Sequence, residues 1–417
     1  MAFDVTSPAS TAIAHPRRRK LLALMVLMFV TILLILFDAG TGQLGLFSLF
    51  SQPGLKLRIS SPICGTWDVK PKPFSGFMSE MELIGIAASP SGSIWVVGQV
   101  INSFGDGYHP AMARWEGNRW RMIGLPDVHS EKAYLASAHF VTDTDGWAVG
   151  HSLAPGPGII AMHWNGWNWT LSPTPPVLGA LYEVQALAGD DVWAVGWHNL
   201  IQPMQMDPLV MHWDGAKWET VSLPAGYARA SLYDVLPIAK DNVWAVGGGP
   251  GDDRTSLEPL ILHWDGRNWN SVPSPRQCSG DHVLVSLSAT NASDIWAVGS
   301  CDDGNPAMRQ KLVEHWDGTS WTISPVADQE EKGGFLSSVV ALSSTDVWSS
   351  GTHHYDGITA FVQHWDDARW QSVAGPPVTW SPQTGLDFAS VSSNEFWLLG
   401  YGYNQEHPLI AQFVRCP

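Results

Sequence analysis

A short pattern, Trp-x-x-Gly, returns seven times along this chain of 417 residues. The copies are Trp95 to Gly98, Trp147 to Gly150, Trp193 to Gly196, Trp244 to Gly247, Trp296 to Gly299, Trp348 to Gly351 and Trp397 to Gly400, spaced 46 to 52 residues. Pairs of tryptophans separated by four residues interleave with it: Trp115/Trp120, Trp164/Trp169, Trp213/Trp218, Trp264/Trp269, Trp316/Trp321 and Trp365/Trp370. The fullest copies read His-Trp-Asp-Gly-x-x-Trp, as from His263 to Trp269. A fixed period near 50 residues marks one small unit copied many times. Such a unit cannot bury its apolar face alone, so the copies must stack along a solenoid or around a ring.

Within a copy every local signal is β. Leu232 to Leu236 alternates and reads as a first strand, Asn242 to Val246 as a second and Leu260 to Trp264 as a third. Asp265-Gly266 predicts a type I′ hairpin with φ positive at both central positions. A fourth strand follows from Trp269 to Val272, stopped by Pro273. Four short strands per copy make one propeller blade, and no helical period is present. The expectation is an all-β, seven-bladed β-propeller over residues 61–417.

The seventh copy ends at its third strand, Leu409 to Val414, with no fourth. Cys64-Gly65-Thr66-Trp67-Asp68-Val69 carries the fourth-strand pattern, with Trp67 in the place of Trp269. The N-terminal strand is therefore expected to complete the last blade and remove two open edges. That register brings Cys64 and Cys416 to one hairpin end as a disulfide. Cys278, between blades four and five, and Cys301, after the second strand of blade five, fall on one face and form the second expected bridge.

The ring explains the composition. Of 23 tryptophans, 20 recur at fixed strand positions, where a blade-to-blade core role outweighs a ligand role. The exceptions are Trp167, Trp197 and Trp380. Charged residues are 15%, against about 25% in ordinary domains. With 40 Gly and 29 Pro, this argues against coiled coils, and the aromatic content argues against disorder. The net charge of −16 argues against nucleic acid as a partner.

The N-terminus sets the location. Arg17, Arg18, Arg19 and Lys20 precede Leu21 to Phe37, an apolar run broken only by Thr31, and Asp38 follows. Seventeen residues make roughly 25 Å of helix. The basic flank predicts a type II signal-anchor: a cytoplasmic tail over 1–20, a transmembrane helix over 21–37, a linker over 38–60 and the propeller outside. The rival, a cleaved signal peptide, wants a shorter run and a small-x-small site, which Asp38-Ala39-Gly40 is not. Asn168-Trp169-Thr170 and Asn291-Ala292-Ser293 fit the glycosylation sequon.

The blade repeat resembles those of kelch-type and galactose-oxidase-like propellers, in which an aromatic strand ends in Gly-Gly and a later Trp follows a turn. Trp244-Ala245-Val246-Gly247-Gly248 has that form, and the other six copies end in a single Gly. The Trp-Asp-Gly-x-x-Trp hairpin is also similar to the Asp-box of sialidase-type propellers. Its Asp-to-Gly spacing differs, so no sialidase activity is carried over. The resemblance covers residues 61–417 and implies architecture rather than activity, since one fold hosts many functions.

The chemistry is sparse. His163, His212, His263, His315 and His364 recur one residue before the third-strand Trp. One per blade is too dispersed for a metal site, so a repeated structural hydrogen bond is expected. Asp145, Asp191, Asp294 and Asp346, two residues before the second-strand Trp, read as turn residues. No nucleophile elbow, zinc-protease, phosphate-loop or haem motif occurs, and no cofactor or metal is expected. The irregular loops joining second to third strands, and blade to blade, share one face and hold the candidate ligand residues. These are Tyr108, His109, Trp197, His198, Asp253, Arg254, His353, His354, Tyr355, Trp380, Tyr401 and Tyr403. Asp252-Asp253 and Asp302-Asp303 are acid pairs of the kind that can hold calcium. The expected role is a binding or scaffold module for a protein or glycan. A glycan-active hydrolase or oxidase is the alternative, and it needs carboxylates from different blades to converge at the central channel. A purely structural cell-surface protein is a third reading.

Overall fold

The computed structural model describes residues 63–73, 80–101, 107–153, 158–198, 206–224, 226–250, 256–305, 308–327, 333–353, 359–376, 383–402 and 409–416. The 21–37 segment lies outside them. Seven four-stranded antiparallel sheets follow one another as blades. Six are continuous in sequence; blade four, for instance, is Ser231–Ala239, Asn242–Pro250, Leu257–Trp264 and Trp269–Ser271. The seventh combines Gln383–Ser392, Glu395–Gly402 and Leu409–Arg415 with Gly65–Val69 as its outermost strand. Gly65 pairs with Arg415 and Trp67 with Phe413, the predicted closure. The Cys64–Cys416 disulfide fastens it, with a Cα separation of 5.3 Å, and Cys278–Cys301 forms the second bridge.

The tryptophans form the walls between blades. Each second-strand Trp is nearly fully buried and inserts between the third- and fourth-strand rings of the next blade. Trp244 lies 4.9 Å from Trp316 and 5.7 Å from Trp321, centroid to centroid. Trp397 of blade seven meets Trp115 and Trp120 of blade one at 5.7 and 6.3 Å, which closes the ring. In the last blade Phe413 takes the third-strand place against Trp348, at 5.2 Å. Burying such a side chain removes about 150 to 250 Å² from water, roughly 4 to 6 kcal/mol each before entropy.

The acids before these tryptophans do more than turn the chain. Asp191, Asp294 and Asp346 each open a second strand, and one oxygen of each accepts a Trp and a His, with Arg415 added on Asp346. For Asp191, Trp193 Nε1 donates at 3.0 Å and His212 Nε2 lies at 2.8 Å. His315 and His364 repeat the arrangement on Asp294 and Asp346, and His263 makes it to Asn242. His163 meets Asp145 at 2.8 Å in the same way. The histidines are thus part of the wall, each ring lying against the Trp it supports, as His212 does on Trp193 at 4.2 Å.

The outer hairpins depart from type I′. Gly266 has φ 88°, while Asp265 stays out of the left-handed region. The Asp265 carboxylate instead accepts the amides of Arg267 and Asn268 at 2.9 and 2.8 Å, and that side-chain bond holds the turn. In blade six Asp367 stands where the other hairpins have Gly, at φ 73°.

The Gly of Trp-x-x-Gly has a steric cause. A Cβ at Gly196, Gly247 or Gly299 would overlap the carbonyl oxygen of Ala180, Ser231 or Val283 on the innermost strand. Immediately beyond that close approach the innermost strands of blades one to six bulge, between Leu181 and Glu183 in blade three and between Leu232 and Asp234 in blade four, while in blade seven the bulge falls earlier, between Gln383 and Gly385. The bulge turns two successive side chains toward the axis, and these build the site.

Candidate functional site

The innermost strands surround a central cavity of about 690 Å³. Their alternating antiparallel course puts their N-terminal ends on the face that carries the irregular loops. Leu257 and Arg309, at the starts of third strands, line the cavity from that face. It therefore opens among the loops rather than among the outer hairpins.

Two layers matter. The mouth is an arc of tyrosines. Tyr182 and Tyr233 stack at 5.7 Å with 19° between planes, and Tyr134 meets His151 edge-on at 4.9 Å. Trp197 Nε1 donates to the Tyr182 hydroxyl at 2.8 Å. Burial pushes the Tyr134 hydroxyl up to about 12, with the phenols of Tyr182 and Tyr108 adding to the effect. Tyr182 and Tyr233 are also raised, burial first. The rings thus stay uncharged aromatic surface at the mouth of the cavity.

Below the mouth lies a ring with one residue per blade, each paired with the residue just before the repeat Gly. Its members are Gly85, Ser137, Glu183, Asp234, Ser286, Ser338 and Asp387. Among the described residues their side chains latch five of the seven seams between blades. Asp234 Oδ2 accepts the Leu287 amide of blade five at 2.7 Å, and Ser286 Oγ accepts the Val339 amide of blade six at 3.3 Å. Asp387 accepts Ser338 Oγ at 3.2 Å and, across the closure, the Ile86 amide at 3.4 Å. Glu183 Oε1 accepts Ser137 Oγ at 2.6 Å and its neighbour Val184 N at 3.2 Å.

Three carboxylates from blades three, four and seven therefore face one cavity. Glu183 and Asp387 keep part of their surface open to the channel, but protein surrounds them on every other side. Loss of hydration dominates their titration. Asp234 is raised to about 7 and Asp387 to about 6, burial first, against the amides that favour their ionised forms. Glu183 is raised well above the ordinary carboxylate range, by burial first and then by the charges of Asp234 and Asp387.

The sequence-predicted candidates distribute unevenly. Trp197 reaches the mouth through Tyr182, and Tyr108 borders it through Tyr134. His198 turns away into a groove of about 680 Å³ shared with Asp207, Leu178 and Tyr227, its pKa lowered by burial. His109 is exposed on the third strand of blade one. His353 lies on the blade-six wall, its Nδ1 3.2 Å from Lys311 Nζ and its ring 4.3 Å from Phe361. Asp253, Arg254, His354, Tyr355, Trp380 and Tyr403, and the Tyr401 side chain, lie outside what is described. Trp167 is 91% exposed at a hairpin tip on the opposite face. Asp302 and Asp303 close the loop around the second disulfide: Asp302 Oδ1 accepts Gly304 N, and Asp303 accepts Ser279 N and Gln310 Nε2. Cys278, His282 and Cys301 converge there, but the two sulfurs are bonded to each other and give no thiolate for a metal.

Tyr134, Tyr182, Tyr233, Glu183, Asp234 and Asp387 were not candidates by sequence. For all but Tyr134, which precedes Leu135, their signal was present as a polar or tyrosine residue one or two places after a Leu of an innermost strand.

The fold and its axial site define a seven-bladed propeller with a loop-face channel. No family model matches the sequence, and no curated protein matches it. Solved structures do. YCF48 bound to D1 peptide superposes with a TM-score of 0.52 at 14% identity, covering 84% of this chain and 100% of that one. A polysaccharide lyase, the PL25 ulvan lyase, gives 0.50 at 11% identity over 82% of this chain and 96% of its own. The GH74 xyloglucanase from Xanthomonas campestris gives 0.53 at 12% identity over 81% of this chain, which spans only 52% of that enzyme. At these identities the likeness is one of fold.

Proposed function

We infer that this is a membrane-anchored, extracytoplasmic propeller that binds a protein or glycan at the loop-face mouth of its central channel. The observation that carries this reading is the arc of Tyr134, Tyr182 and Tyr233 over a cavity of about 690 Å³. Aromatic faces above buried polar groups make a recognition surface, because the rings supply contact area and the polar groups fix orientation. The export of the domain rests on the basic flank and apolar run at residues 17–37 and fits the two disulfides. The propeller neighbours include a peptide-bound protein and two polysaccharide-active enzymes, which makes both ligand classes reasonable. The kelch-like form of the blade names no ligand.

The test is a peptide and glycan array probed with the wild-type chain and with a Tyr182→Ala/Tyr233→Ala variant. Ligands retained by the wild type and lost by the variant support the reading. Ligands held equally by both place binding elsewhere and sink it.

A glycan-active enzyme is the second reading, favoured by the meeting of Glu183, Asp234 and Asp387 from three blades. Against it, both oxygens of Asp234 and both of Asp387 are taken by protein donors, which leaves neither free to protonate or attack a sugar. Hydrolysis, elimination or oxidation of any carbohydrate in a panel, lost on Glu183→Gln, would establish this reading instead.

A further inference from the structure

Glu183 is more than the fold needs at its place. Serine fills the same ring position in three blades and glycine in a fourth. Ser286 makes to Val339 N the same inter-blade bond that Asp234 makes to Leu287 N. A hydroxyl thus suffices for the latch, whereas a desolvated carboxylate costs several kcal/mol. Asp234 and Asp387 recover part of that cost through donors to both oxygens. Glu183 does not. Its three hydrogen bonds among the described residues all fall on Oε1, from Ser137 Oγ, Val184 N and Gln185 Nε2, while the side chain lines the cavity.

We propose that Glu183 receives the ammonium group of a lysine side chain, inserted by a protein ligand through the tyrosine-lined mouth. This rests on the channel-mouth reading above and narrows its ligand. The charge balance favours a cation. Among the described residues the one cationic side chain lining the cavity is Arg309, and it lies beside Tyr233 rather than in an ion pair with any of the three acids. His139, on the innermost strand of blade two, is held neutral, its pKa lowered to about 4 by burial. Tyr182 and Tyr233 add ring faces to which a cation is attracted on its way in.

The shape of the site selects lysine among cations. One oxygen left over suits a point-charge ammonium, whereas a guanidinium needs two parallel acceptors. Beside its polar ring the cavity has an apolar stretch of Ile84, Ile86, Ala136, Ala138, Leu287 and Val339, with Gln185, Ser300 and Ser337 as further polar side chains. That stretch accommodates the methylene stem of a lysine while its charged end reaches Glu183. The raised carboxylate pKa adds a signature: a cation binds the ionised carboxylate in preference to the protonated one, so affinity rises with pH.

The test uses the full-length chain in detergent and calorimetric titration with the peptide acetyl-Gly-Ser-Lys-Ser-Gly-amide. Controls are the same peptide with acetyl-lysine or arginine in place of lysine, and a trimer of glucosamine. The expected result is binding of the lysine peptide at least tenfold tighter than the acetyl-lysine and arginine peptides, stronger at pH 8 than at pH 6. Glu183→Gln and Glu183→Ser should each weaken it at least tenfold. Serine is native to this position in other blades, so Glu183→Ser keeps the fold, checked by circular dichroism. Equal binding of the acetylated peptide, unchanged affinity in Glu183→Ser, preference for the glucosamine trimer, or no binding of the lysine peptide would each overturn the proposal. An array ligand lost in the tyrosine variant but kept by Glu183→Gln would overturn it while leaving the channel-mouth reading intact.

Discussion

Replacing Glu314 by Gln should stabilise the protein, and only above a definite pH. Glu314 is fully buried in the wall between blades four and five. Its ladder position holds Met162, Met211 and Leu262 in blades two to four and Gln363 in blade six. One oxygen accepts Ser274 Oγ at 2.7 Å, and the other has no partner among the described residues. Burial drives its pKa from 4.5 to about 8, against the smaller opposite effect of the Ser274 bond. The sign follows from proton binding. Below pH 4.5 both folded and unfolded states are protonated and the residue is neutral in each. Between 4.5 and 8 the unfolded chain ionises while the folded one keeps its proton, so stability falls by about 1.4 kcal/mol per pH unit. Above 8 the loss levels off. At pH 7 the wild type should forfeit about 3 kcal/mol relative to a neutral isostere. Gln keeps an acceptor for Ser274 and adds one buried, unpaired N–H₂, which costs about 1 kcal/mol. The net gain at pH 7 is therefore about 2 kcal/mol, falling to zero or slightly below near pH 4.5. Urea unfolding of both proteins at pH 4.5, 6, 7 and 8 measures it. A difference that does not change with pH, or a Gln variant less stable at pH 8, would refute the assignment of a buried, protonated carboxyl.

Three further outcomes are expected. His139 has its pKa lowered to about 4 by burial, so the unfolded state binds its proton first and stability falls as pH drops from 6.5 toward 4. A His139→Gln variant should lose that acid sensitivity, read as a smaller drop in melting temperature between pH 7 and pH 5. Asp367 holds φ 73° where five other hairpins use Gly at φ 87° to 94°, so Asp367→Gly should raise stability by about 0.5 to 1 kcal/mol in thermal melts. The Cys64–Cys416 bridge joins residues 352 apart, and a loop that long restricts the unfolded chain strongly. Cys64→Ser should cost roughly 3 to 5 kcal/mol, and non-reducing mass mapping of the wild type should recover the Cys64–Cys416 pair; free thiols at both would dismiss the clasp.

The ring was legible in sequence because its walls are made of repeats. Trp-x-x-Gly and the paired tryptophans mark where blade meets blade, and that contact is the same seven times over. The fragment at Cys64 to Val69 could be placed in the last blade for the same reason, since Trp67 had a counterpart in every other blade. The channel was less legible because it depends on a register change that strict alternation conceals. A regular strand from Leu232 to Leu236 would put Leu232, Asp234 and Leu236 on one face. The structure instead pairs Leu232 with Val235 in the wall between blades three and four, and leaves Tyr233 and Asp234 both facing the axis. A spacing of three between residues of one face is the mark of a bulge, and it recurs as Leu135/Ala138, Leu181/Val184, Leu284/Leu287 and Leu336/Val339. Each lies opposite the repeat Gly, whose missing Cβ lets the two strands close. The glycine that identifies the repeat is therefore also what turns the axial residues inward. The walls keep their side chains because every blade needs the same contact. The axial pair is free to differ from blade to blade, from Ala136-Ser137 to Tyr182-Glu183, and that variation is where recognition can be built without disturbing the ring.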